Sequence, residues 1–148
     1  MQFPLADRTS LLHLSHVHRG GGLLERPDNT WPVPEPTHTD AADIARFEAH
    51  YEKVMGEVRA AGFRGISVVS LHSYYNPAAA EPFVPRAAYL KSLVDEFHAH
   101  GIPVCSIPFA GGDAEEAYFK LFDLGFDGFS SDYPSTMFSV IHQLRERA

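Results

Sequence analysis

Strand and helix patterns alternate four times along this chain, and that alternation predicts an α/β fold on a parallel sheet with right-handed crossovers. Three observations carry the expectation. Nearly continuous apolar runs at 66–71 and 102–109 are what strands covered on both faces require. Segments with apolar residues three and four apart lie between them. Gly62, Gly101 and Gly125 stand where helices end in left-handed backbone. A complete (β/α)8 barrel takes ~250 residues. About four β/α units in 148 residues therefore predict a partial, or half, TIM-like barrel in a single domain.

Residues 1–9 are polar and are expected to fray. Residues 10–17 (Ser-Leu-Leu-His-Leu-Ser-His-Val) make a plausible first strand, apolar and free of Gly and Pro. A Gly/Pro-rich loop follows over 19–38, ending in a Trp31-to-Pro36 segment with three prolines. Thr39 or Asp40 caps a long helix to about residue 61, whose stripe is Ile44, Phe47, Tyr51, Val54, Met55 and Val58.

The second strand, 66–71, exits into His72-Ser73-Tyr74-Tyr75-Asn76-Pro77 and an Ala/Pro-rich loop. A helix over 85–100 shows Ala88, Leu90, Leu93, Val94 and Phe97 on one side. The third strand spans 102–109. Asp113 then reads as an N-cap, with Glu115 and Glu116 favourably placed in the first turn. Phe119, Phe122 and Phe126 read as core. A short fourth strand leads to Ser131-Asp132-Tyr133-Pro134, and Pro134 opens a last helix to about 147.

The composition excludes some functions. A net charge of −7 argues against nucleic acid or an anionic membrane as the main partner. No apolar run reaches the ~20 residues of a membrane span. The one cysteine, Cys105, sits in an apolar run as a small hydrophobe and cannot form a disulfide within the chain. A cytoplasmic setting is the default, and no secretory signal is evident. Neither a phosphate-binding loop with a Lys nor a nucleophile elbow is present.

Two sets of residues carry a family resemblance. The first is His18-Arg19-Gly20 followed by Pro27-Asp28-Asn29-Thr30; the second is the run from Gly62 to Pro134, with Ala99-His100-Gly101-Ile102-Pro103-Val104 and Leu124-Gly125-Phe126-Asp127-Gly128-Phe129-Ser130-Ser131-Asp132-Tyr133-Pro134. Together they resemble the glycerophosphodiester phosphodiesterase family, whose members are TIM-type barrels. Asp28 stands where that family has Glu, and Ser131 where it has Thr.

The resemblance implies hydrolysis of a small phosphodiester, in lipid metabolism, by a truncated and weakly active member. His18 and Arg19 would be catalytic, and Gly20, Asn29, His72 and Tyr74 would bind substrate. A divalent cation, Mg or Ca, would be held by Asp132, with Asp28 or Glu81 as its other candidates. The chemistry suits the residues: Arg19 offers a planar fork of donors to phosphate oxygens, and His18 exchanges a proton near neutral pH. The family's Glu-any-Asp metal pair, its second His followed by Asp, and its later Glu near a Lys have no counterpart here, as if the middle of a barrel were omitted.

Other readings stand beside it. A non-catalytic relative would keep the scaffold and bind a phosphorylated ligand or serve in assembly. Alternatively, His16 and His18, one residue apart on one strand face, could join His72 and Asp132 around a hydrolytic metal, as in amidohydrolase-type sites; nine histidines make such coincidences common. His72 to Asn76 could equally wall a pocket or cap the core. His98 and His100 read as complements to a helix dipole, and His13 as packing. Four strands cannot close a barrel that needs eight, so two copies are expected to pair, or the sheet to stay open between helix layers.

Overall fold

The computed structural model describes residues 11–13, 41–109 and 114–147. In chain order the elements are β1 (Leu11–His13), α1 (Ala41–Ala60), β2 (Val68–Tyr75), β3 (Phe83–Val84), α2 (Ala87–Ala99), β4 (Val104–Phe109), α3 (Glu115–Asp123), β5 (Gly128–Phe129) and α4 (Pro134–Arg147). The sheet runs β1-β2-β4-β5, every neighbour parallel, and β3 pairs antiparallel with β2. The result is an open, mostly parallel α/β sheet with four helices among the described residues.

Parallel strands that follow one another across a sheet in chain order need crossovers of one hand, which places the connecting helices on one face. The packing agrees. Val69, Leu71 and Tyr75 of β2 share a face with Val104 of β4 through the Val69–Val104 and Leu71–Ser106 register. All four hydrophobic residues join one cluster with Tyr51, Val54, Met55 and Val58 of α1, Leu90, Leu93, Val94 and Phe97 of α2, and Ala117 and Leu121 of α3. Each large aliphatic or aromatic side chain removed from water there is worth about 2 kcal/mol. The opposite face carries Ser70, His72 and Tyr74, with Cys105 in register with Ser70. A smaller cluster of Phe47, Tyr74 and Val84 covers part of it.

The helix stops follow the glycines. Gly62, Gly101 and Gly125 have φ of 64°, 71° and 98°. Phe63 shares the first turn at φ 57°, rare for a residue with a side chain. Its ring is held edge-on to Phe97 and stacked on His100 with centroids 3.7 Å apart.

Four expectations need correction. The second strand begins at Val68 and runs on to Tyr75, so His72, Ser73, Tyr74 and Tyr75 are strand residues, not its exit loop. The loop after it contains β3, which pairs Phe83 with Tyr75 and Val84 with Tyr74. The N-cap of α3 is Ala114, with no side-chain capping bond, in place of Asp113. Phe122 is 46% exposed while Phe126 is buried, because α3 turns Ala117, Tyr118 and Leu121 inward and leaves Phe122 outside.

Candidate functional site

Parallel strands send their carboxyl ends to one edge of the sheet, and α/β folds place their chemistry there. At this edge β2 delivers Tyr75 and Asn76, and β5 delivers Ser130, Ser131 and Asp132. The local backbone bonds are compact. The Asn76 side-chain oxygen accepts from the N–H of Ala78 at 3.0 Å, an Asx turn that starts the loop to β3. Asn76 N–H donates to the carbonyl of Pro82 at 2.8 Å, and Ser130 N–H donates to that of Ser106 at 2.8 Å. The Ser131 hydroxyl accepts from the N–H of Tyr133 at 2.9 Å.

His72 is the fourth residue from the end of β2, 4% exposed, and in register with Ile107 of β4. Tyr51 on α1 donates its hydroxyl to the His72 carbonyl at 2.6 Å; burial pushes that hydroxyl's pKa well above the usual phenol range. Tyr74, two residues on, shares the face of His72. It is buried edge-on to Phe47 at 5.5 Å, so it packs as a core ring at this edge. Asp132 is exposed in the bend beyond β5. The strand β4 lies between the lanes that carry His72 and Asp132, a separation of about 10 Å across the ladder. His16, His18, Arg19, Gly20, Asp28 and Asn29 lie outside the described residues.

A hard cation takes six to eight oxygen ligands in the case of Ca, or a near-octahedral set for Mg. Among the described residues no three His, Cys, Asp or Glu side chains gather to hold a metal. Asp132 alone does not make such a site.

Two carboxylates, Glu48 and the candidate cation ligand Glu81, stand near the start of α2. Glu48 of α1, 8% exposed, accepts from Arg86 at Nε, Nη2 and the backbone N–H, at 2.8, 2.5 and 3.2 Å. Glu81 accepts from the N–H groups of Phe83 and Ala87 at 3.3 Å each. Glu48 follows Phe47 in the apolar stripe of α1, and a carboxylate buried on such a flank needs a charged hydrogen-bonding partner; that was the legible signal. At the opposite edge, His98 Nε2 meets Asp127 Oδ2 at 2.7 Å, and the same oxygen accepts the Val104 N–H at 2.8 Å. His98 thus does more than complement a helix dipole: it ties α2 to Asp127 in the turn ahead of β5, and Asp127 in turn holds the start of β4.

No protein-family model, no curated protein and no solved structure matches the chain. No helix among the described residues is long and apolar enough to cross a membrane.

Proposed function

We propose that the chain is a half-barrel hydrolase of small phosphodiesters. The observation that carries the reading is that β1, whose chain leads on to His18-Arg19-Gly20, is the parallel neighbour of β2, which bears His72. Chain-order strands with helices on one face are the arrangement of a (β/α)8 barrel segment, and support the half-barrel part of the reading. His18 is five residues past His13, within about 18 Å of chain.

In this reading Arg19 pairs with the phosphate oxygens through two parallel N–H groups and neutralises charge as the phosphorus is attacked. His18 takes the proton of the attacking hydroxyl, from water or from the substrate itself, and returns it to the leaving oxygen. Gly20 lets backbone N–H groups approach the anion. His72 and Asn29 contact the substrate.

The test is hydrolysis of bis(p-nitrophenyl) phosphate, with and without added Mg2+ or Ca2+. His18→Ala is expected to lower the rate by about 100-fold or more, with circular dichroism unchanged. Unchanged hydrolysis in His18→Ala sinks the assignment. A chain that hydrolyses nothing but binds inorganic phosphate through Arg19 would instead be the non-catalytic relative.

A further inference from the structure

We propose that the sheet is completed by a second copy of this chain, eight parallel strands closing into one barrel whose rim is shared. The inference rests on the half-barrel reading of the fold and not on the hydrolysis.

The first argument is the order and direction of the edges. Among the described residues β1 and β5 end the parallel path, and both run the same way. A two-fold axis along the strands lays β5 of one copy beside β1 of the other and does the same at the second junction. One operation satisfies both edges in parallel sense. Neither a face-to-face stack nor an antiparallel pairing does this. Unpaired edges otherwise present rows of free backbone donors and acceptors, and four strands cannot close on themselves.

The second argument is α4. The helices between strands bury full stripes: α2 buries Leu90, Leu93, Val94 and Phe97. Beyond the last strand, α4 buries Val140 alone. Phe138 is 63% exposed and Tyr133, just ahead of the helix, 62%. Met137, Ile141 and Leu144 are only half-buried. A helix after an edge strand lacks the next strand to rest on. In the closed ring α4 lies over β5 and over β1 and α1 of the second copy, which gives Phe138 an apolar seat.

The consequence for function is that the residues at the β5 exit, Ser130 to Asp132, stand next to the β1 exit of the other copy. Each phosphodiester site would then draw on both copies.

Sedimentation equilibrium of the purified chain at tens of micromolar tests this. The expected mass is twice the 16.4 kDa of one chain; a single-chain mass overturns the proposal. Phe138→Glu is expected to return the mass to one chain with helical dichroism intact, and a variant still paired overturns the role of α4. Should that variant unfold, zero-length cross-linking of mixed light and 15N wild-type chains decides. Lys53 and Glu146 each lie twelve residues into their helices, α1 from Ala41 and α4 from Pro134, and are expected to link between copies. Cross-links confined to one copy overturn it. A paired chain without hydrolysis removes the enzymatic reading and leaves this one; a single chain that hydrolyses does the reverse.

Discussion

The Tyr51 hydroxyl reaches across from α1 and donates to the carbonyl of His72 at 2.6 Å, inside a buried contact between helix and sheet. It ties the first crossover helix to the strand that carries the candidate rim residue. Tyr51→Phe keeps the ring and removes the donor. It is expected to cost about 1–2 kcal/mol, read as a lower urea midpoint at unchanged m. An unchanged midpoint would show that the bond contributes nothing net.

Phe63 joins a left-handed backbone to a packed ring. Left-handed backbone costs a residue with a side chain about 1 kcal/mol or more, whereas Gly adopts it freely. Ala and Gly both lose the ring contacts with Phe97 and His100. Phe63→Gly is therefore expected to be more stable than Phe63→Ala by about 1 kcal/mol, the reverse of the order at an ordinary position. Thermal melts of the two variants decide it, and Ala ahead of Gly contradicts the strain.

Gly128 lets β5 approach β4. A Cβ built there meets Cys105 Sγ at 3.1 Å, a few tenths of an ångström tighter than ordinary packing, so the thiol must shift to admit it. Gly128→Ala is expected to destabilise by about 1–3 kcal/mol, and adding Cys105→Ala to restore most of the loss. Additive effects in this double-mutant cycle would show that the clash is elsewhere.

Cys105 also sets a pH dependence. Burial raises its thiol pKa, and the Asp127 charge raises it further. The folded state therefore holds this proton more tightly than the unfolded chain. The stability is present in full below the unfolded thiol value of about 8.5, and falls as pH rises through the window above it. Equilibrium unfolding from pH 7 to pH 10 is expected to show this slope in the native chain and a shallower one in Cys105→Ala. Equal slopes would exclude the thiol as the cause.

At the acid end Glu52 behaves oppositely. Hydrogen bonds from Arg59 first and Tyr89 second hold its carboxyl below the usual range. Its contribution is present above about pH 4.3 and is lost as pH falls through its lowered value. The pair is exposed, so Glu52→Gln is expected to change stability only slightly at pH 7 and to flatten the acid slope.

Periodic helices were the most legible part of this chain. The stripe Phe47, Tyr51, Val54, Met55 and Val58 is buried as its spacing demands, and three glycines end helices as their freedom suggests. The end of β2 was not legible, because His72-Ser73-Tyr74-Tyr75 breaks the apolar run while still lying between covered faces. β3 escaped notice because Phe83 and Val84 sit between Pro82 and Pro85, a setting that reads as loop. For the candidate site, residue type named groups whose chemistry fits a phosphodiester, but not how far apart β2 and β5 would hold His72 and Asp132. That distance depends on strand order, which is set by packing remote from either residue.

The place of β2 in the sheet has a consequence for motion. It is laddered to β1, β3 and β4, while among the described residues β5 ladders to β4 only, over two residue pairs. Backbone amides of β2 can exchange with solvent only when most of the sheet opens, whereas β5 can part locally. The Asp132 side of the edge is thus the part of the sheet that yields first, and the His72 side the part that holds.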